Sequence, residues 1–209
     1  MEPGKFITLE GAEGVGKSTN LEFLKAYFDA RGIACLVTRE PGGTQLGEKI
    51  RTLLLSNSDE KLDATAELLL IFAARAQHLE RVIRPALSKG TWVLCDRFTD
   101  ATFAYQGAGR GIKDSDIRIL QKLVQHTLHP DLTLILDLDP AIGMSRAKQR
   151  ATLDRFEQEQ LNFFERVRAG YLGIAEAEPA RCAVIDASQP LEVVKAALLK
   201  TLVDRLALS

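Results

Sequence analysis

Phe6-Ile7-Thr8-Leu9-Glu10-Gly11-Ala12-Glu13-Gly14-Val15-Gly16-Lys17-Ser18-Thr19 decides how this chain folds. Its opening is a short apolar, partly β-branched run, and its end opens a helix-length amphipathic segment. Between them, Gly11 to Ser18 fits G-x-x-x-x-G-K-[ST], which carries meaning when a strand precedes it and a helix follows. The glycines let successive backbone N–H groups curve into an anion-binding nest, and the helix amino terminus adds its positive dipole end. Lys17 is set to neutralise β- and γ-phosphate oxygens, and the Ser18 hydroxyl to ligate magnesium. The reading is a nucleoside triphosphate site made by Gly11, Ala12, Glu13, Gly14, Val15, Gly16, Lys17, Ser18 and Thr19.

The same alternation continues outward from this loop. Phe6–Glu10, Ala34–Thr38, Trp92–Asp96, Leu132–Asp137 and Cys182–Asp186 read as strands buried on both faces, because they are continuous apolar runs bounded by Gly, Pro or charge. Helical patterns cover Lys17–Arg31, Gln45–Leu55, Thr65–Leu87, Ser115–Gln125, Ala141–Arg150, Asp154–Ala177 and Leu191–Leu206. Strand and helix in strict alternation imply an α/β fold, a parallel sheet covered by helices on both sides. Arg39–Thr44, with Pro41-Gly42-Gly43, and Gly107–Gly111, with its three glycines, read as loops at the carboxyl edge of the sheet, where ligands collect. No repeat or linker divides the chain, so residues 1–209 read as one domain, and the charged stretch Arg146–Arg155 reads as a lid.

Composition narrows the function. The chain has 209 residues, enough for a full core without staples, and its 27 Lys+Arg against 28 Asp+Glu argue against bulk binding to nucleic acid or anionic membrane. Cys35, Cys95 and Cys182 follow no disulfide or zinc spacing and read as buried free thiols of a reducing compartment. The amino terminus lacks signal-peptide regions, and the longest apolar run, Leu68–Ala74, is far short of the roughly 18 residues of a membrane span. The expectation is a cytoplasmic protein. His78, His126 and His129 have no partners at metal-ligand spacing and read as structural or surface residues.

Three classes of nucleotide protein remain: a small-molecule phosphotransferase, a GTP-driven switch and an ATPase module. A switch reads guanine through N-K-x-D, and no Asn in this chain precedes Lys. A motor presents an acid after the strand aspartate to activate water, whereas Asp96 precedes Arg97, whose planar fork suits a second phosphate. Gly11–Thr19, Thr38-Arg39-Glu40-Pro41-Gly42-Gly43-Thr44, Phe72-Ala73-Ala74-Arg75, Asp96-Arg97-Phe98, Ala104-Tyr105-Gln106-Gly107 and Leu153-Asp154-Arg155-Phe156-Glu157 together resemble the bacterial thymidylate kinases, from about Ile7 to Tyr171.

The resemblance implies a P-loop NTPase fold of the nucleoside monophosphate kinase type, a five-stranded parallel sheet with a short lid at about 143–156. It implies transfer of phosphate from MgATP to dTMP, with Mg2+ as the metal, in a cytoplasmic homodimer. By the same resemblance Arg97 and Arg51 hold the dTMP phosphate, Glu13 bonds the deoxyribose 3′-hydroxyl, Arg75 reaches thymine O4 and Gln106 the N3 side. Tyr105 crowds the 2′ position, Thr102 stands where the family usually has serine, and Asp96 orients magnesium through water together with Ser18. Arg39 belongs to the same cluster or anchors its turn. Family members often stack a phenylalanine on the base four residues before the base-reading arginine; this chain has Ile71 there, with Phe72 next. Ile71 is then a wall, and Phe72 lies at the rim or in the core. Because Gly14 stands where some members carry a phosphate-loop arginine, the lid must supply the charge on the transferring group, from Arg150 first and Arg146 second. Thr65–Leu87 and the segment around Leu161–Tyr171 offer apolar surface for a second copy. A deoxynucleoside kinase and a non-catalytic nucleotide-binding module remain as alternatives.

Overall fold

The computed structural model describes residues 3–57, 60–149, 154–157 and 159–208. Strands β1 (Phe6–Glu10), β2 (Cys35–Arg39), β3 (Trp92–Asp96), β4 (Leu132–Asp137) and β5 (Cys182–Asp186) form one parallel sheet in the order β2-β3-β1-β4-β5. The period-two geometry of a strand sends neighbouring residues to opposite faces. Ile7, Leu9 and Leu94 accordingly join a core with Leu21, Leu24 and Phe28 of α1 (Lys17–Ala30), whereas Phe6, Val93 and Cys95 pack with Leu79, Ile83 and Leu87 on the other side. Apolar side chains on both faces turn β1, β3 and β4 into uninterrupted hydrophobic runs, whereas β2 and β5, expected to be buried on both faces as well, are edge strands that leave Val37 and Val184 exposed.

The remaining helices are α2 (Gln45–Leu55), α3 (Ala64–His78), α4 (Arg84–Ser88), α5 (Thr99–Thr102), α6 (Asp114–Gln125), α7 (Pro140–Lys148), α8 (Leu161–Ala177) and α9 (Leu191–Leu206). The expected helix over Thr65–Leu87 is α3 and α4 joined by a π-helical turn, Leu79–Ile83. Thr44 caps α2, Asp63 caps α3 and Asp139 caps α7, where Pro140 occupies the first turn.

Two expectations need correction. Thr99–Gly109 is helical, α5 continuing into a π-helical turn at Phe103–Gly109, so the glycine-rich loop begins only beyond it. Gly109 and Gly170 explain this, since a Cβ on Gly109 would lie 2.6 Å from the Phe163 ring and one on Gly170 2.9 Å from Ala108. Close packing on α8 overrides the loop signal. The helix expected from Asp154 begins instead at Leu161, because Asp154 Oδ1 accepts from the N–H groups of Phe156 and Glu157 and folds that stretch into a turn. Of the thiols, Cys95 and Cys182 are buried and Cys35 is half-buried. No described helix is long and apolar enough to cross a membrane.

Candidate active site

The carboxyl ends of β1, β2 and β3 open into one cavity. Glu13 to Ser18 line one end, Asp96, Arg97 and Arg51 the middle, and Ile71, Arg75, Thr102, Tyr105 and Gln106 the other. Gly11 and Ala12 give their carbonyl oxygens to Lys17 Nζ at 3.1 and 2.9 Å, and Thr19 is exposed on the first turn of α1, off the cavity wall. Burial and the neighbouring Arg97 charge hold the Lys17 ammonium below its ordinary value.

Glu13 reaches across from the phosphate loop. Its Oε1 accepts from Arg97 Nη2 at 2.5 Å and from the Tyr105 hydroxyl at 3.1 Å. Burial pushes its carboxyl up, but the Arg97 and Lys17 charges outweigh it and hold the group at about 2. Arg97 adopts a left-handed backbone at φ 65, where non-glycine residues are uncommon. Its own N–H donates to Leu9 O at 3.0 Å and the next N–H, of Phe98, to Glu10 Oε1 at 2.7 Å. The guanidinium stacks 4.7 Å from the Tyr105 ring centre. Arg51 Nη1 donates to Pro41 O at 3.1 Å, while burial and the charges of Arg39 and Arg97 lower its pKa. Lys17, Arg51 and Arg97 stand together in this part of the cleft with the carboxylates of Glu13 and Asp96, leaving an excess of positive charge that suits an anion.

Arg39 pairs with Glu48 at 2.8 Å, half exposed and away from the cavity wall, so it anchors the turn. Asp96 Oδ1 is buried with no hydrogen-bond partner among the described residues, and Asp96 and Ser18 both line the cavity. Hard oxygen donors, one of them unsatisfied, fit magnesium and its waters.

At the far end, Arg75 donates from Nε to Glu40 Oε2 at 2.6 Å and from Nη2 to Phe98 O and Thr102 Oγ1. Ile71 forms part of the wall. Phe72 does not: it is 2% exposed, packs with Leu68 and Ile117, and touches the site only by backing the Arg75 guanidinium at 4.8 Å. Of the two places expected for Phe72, rim or core, it takes the core, and Ile71 is the wall, as the 100° step between helix neighbours requires.

Several residues that shape the site carried no assigned role in the sequence. Fully buried Glu67 accepts from Gln106 Nε2 at 2.8 Å, from Arg110 and, at 2.6 Å, from Arg155 Nη2. Arg155 also donates from Nε to Leu54 O, and Phe156 beside it lines the cavity against Tyr105. The Leu153–Glu157 motif marked this segment, but its partners lie across the fold. Of the lid arginines, Arg146 is exposed on α7 away from the cavity wall, and Arg150 lies outside the described residues. Leu161–Tyr171 offers little surface to a partner, because Phe163, Phe164, Val167 and Tyr171 are buried in the core.

A family model for thymidylate kinase matches residues 9–198. The thymidylate kinase of Pseudomonas syringae pv. tomato is 59% identical over 205 residues, 98% of each chain. That of Teredinibacter turnerae is 58% identical over 192 residues, 92% of this chain and 94% of its own. The crystal structure of thymidylate kinase from Ehrlichia chaffeensis superposes with a TM-score of 0.79 at 37% identity, covering 96% of this chain and 100% of that one. A phosphate loop facing a pocket of guanidinium groups across one cleft is shared by many kinases, but with matches of this extent and identity the chain belongs to the thymidylate kinase family.

Proposed function

We propose that this chain, a single domain over residues 1–209 with a lid at about 143–156, transfers the γ-phosphoryl group of ATP to dTMP in the cytoplasm, giving dTDP and ADP. The observation that carries the reading is the shared cavity, with the amide nest and Lys17 at one end and Arg97 and Arg51 facing it. Two anionic tails held end to end in one cleft need alignment and charge stabilisation more than covalent chemistry. Arg97 and Arg51 hold the dTMP phosphate, and Lys17 and the loop amides hold the ATP phosphates. Magnesium would be held by Ser18 and, through water, by Asp96, and supplies neutralisation of the phosphate oxygens. Arg150 or Arg146 of the lid adds positive charge at the transferring group.

Glu13 takes the sugar 3′-hydroxyl, and Tyr105, fixed by its bond to Glu13, closes the space a 2′-hydroxyl needs. Arg75 Nη1, buried without a partner among the described residues, faces thymine O4. Because Gln106 donates its amide nitrogen to Glu67, its carbonyl oxygen is left to accept from the ring N3–H. Ile71 and Phe156 supply apolar walls. Leu53 of α2, Leu69 of α3 and Leu123 of α6 are large, exposed apolar residues on neighbouring helices, which supports a homodimer.

Coupled ADP release from MgATP tests the reaction with dTMP, thymidine or no acceptor. Turnover is expected with dTMP alone. Dependence on thymidine would assign the chain to the deoxynucleoside kinases, and hydrolysis without acceptor, or none at all, to a nucleotide-binding module.

A further inference from the structure

The Thr38–Thr44 segment and α3 meet in a buried chain of polar contacts that phosphoryl transfer does not use. Thr38 Oγ1 lies 2.7 Å from His78 Nε2, His78 Nδ1 lies 3.0 Å from Glu40 Oε1, and Arg75 Nε donates to Glu40 Oε2 at 2.6 Å. His78, Arg75 and Glu40 are 0%, 2% and 4% exposed. Gly43 makes the arrangement possible: with φ +74, a Cβ there would sit 2.4 Å from His78 Nε2 and 2.8 Å from Thr38 Oγ1. Phe72 and Phe98 lie 4.8 and 5.0 Å from the Arg75 guanidinium carbon, and Nη2 is taken by Phe98 O and Thr102. Among the described residues Nη1 alone is left without a partner, in a side chain that lines the cavity.

We infer that His78 is a positioning residue for selection of the acceptor base. Acting through Glu40, it fixes the direction in which Arg75 presents Nη1, so that the site demands a hydrogen-bond acceptor at position 4 of the pyrimidine. This rests on the proposed assignment of Arg75 to the base. A carboxylate only accepts, so Nδ1 carries its proton toward Glu40, while the Thr38 hydroxyl serves Nε2 in either sense. With Oε1 pinned in this way, Glu40 cannot pivot, and Oε2 holds Nε in one orientation. A rigid donor meeting a ring that carries an amino group at position 4 leaves two buried donors facing each other unsatisfied, which is how such sites reject an analogue. A guanidinium released from this anchor turns aside and tolerates the amino group.

The test measures kcat/KM for dTMP and for dCMP at saturating MgATP in the parent and in His78→Gln, His78→Asn, Thr38→Val and Arg75→Lys. Asn sets its amide nitrogen near the Nδ1 position and keeps the donor to Glu40; Gln sets its own near Nε2 and loses it. His78→Gln is expected to lower the dTMP to dCMP ratio by about tenfold or more. Thr38→Val lowers it in the same direction by a smaller factor, and His78→Asn stays near the parent. The KM for MgATP is unchanged throughout. A ratio at the parental value in both His78→Gln and Thr38→Val overturns the inference, because a merely structural role depresses both substrates in proportion. Should His78→Gln fail to fold, Thr38→Val, which removes one hydroxyl at a half-buried position, decides alone. Arg75→Lys tests the underlying assignment separately: a ratio that survives it removes Arg75 from the base, whatever the His78 variants do.

Discussion

Glu10 stands at the carboxyl end of β1, fully buried, accepting from the Phe98 N–H at 2.7 Å and from the Tyr171 hydroxyl at 2.9 Å. Burial first, and then the charge of Asp100, raise its carboxyl from 4.5 to about 8, against the opposing pull of Tyr171, Arg97 and the Phe98 amide. An acid raised in the folded state takes up a proton on folding. Its contribution to stability is therefore complete below the unfolded value and is lost as pH rises toward the folded one. Glu10→Gln keeps an acceptor for Phe98 and removes the titration. Thermal melts in a buffer series from about pH 5 to about pH 8 are expected to show the parent midpoint falling more steeply than that of the variant. Parallel curves would refute this. Glu13 adds no slope in that window, since burial, outweighed by Arg97 and Lys17, leaves its carboxyl at about 2. Nothing local marked Glu10, Glu40 or Glu67 as organising residues. Each is defined by partners far along the chain, 161 residues away for Tyr171 and 88 for Arg155, and such pairings leave no trace in a spacing.

Helix α7, the start of the proposed lid, approaches the phosphate loop main chain to main chain. A Cβ on Gly14, at φ +71, would lie 2.0 Å from Gly143 O, and one on Gly143 would lie 2.4 Å from Glu13 O. Neither position accepts a side chain without lifting α7, so Gly14 excludes a phosphate-loop arginine by sterics as well as by identity. Gly143→Ala is expected to raise KM for ATP several-fold and lower kcat, with dTMP affinity unchanged in equilibrium titration. If α7 serves to aim the lid arginine, the double variant with Arg150→Ala is no slower than Arg150→Ala alone, because residues acting as a unit are not additive. Additive losses would separate the helix from the arginine. Elements of this kind differ in how plainly the sequence carries them. The inner strands β1, β3 and β4 were legible because burial on both faces removes polar interruptions, the edge strands β2 and β5 by their apolar runs despite partial exposure, and the phosphate loop because its glycines answer to backbone geometry. Thr99–Gly109 was not, since Gly109 serves close packing on α8 rather than a turn, and π-helical turns are too rare to be expected from pattern. Ile71 on the cavity wall and Phe72 behind it followed directly from helix geometry.

At the scale of the molecule, five of the twelve large apolar residues exposed among the described residues lie on three helices next to the acceptor end of the cavity. Leu46 and Leu53 of α2, Leu69 of α3, and Ile119 and Leu123 of α6 are 48%, 56%, 52%, 66% and 67% exposed, and α3 packs against both of the other helices. Scattered exposed apolar residues need no explanation, but these five, on three adjoining helices, are the surface that the proposed second copy would cover. Two of these helices present their inner faces to the cavity: α2 carries Arg51, and α3 carries Ile71 and Arg75. A partner pressed on the outer face would stiffen the acceptor end and leave the phosphate loop, at the start of α1, largely indifferent. The double variant Leu69→Glu with Leu123→Glu puts charge on the patch and touches none of the core. In sedimentation the parent is expected at twice the 23.0 kDa of one chain, and the variant at the single-chain mass with its far-ultraviolet spectrum intact. The variant's KM for dTMP should rise several-fold while KM for MgATP holds. A parent that sediments as one chain would leave the acceptor pocket without a neighbour to stiffen it, and a charged variant that keeps the parent's mass would place the contact between copies on another face.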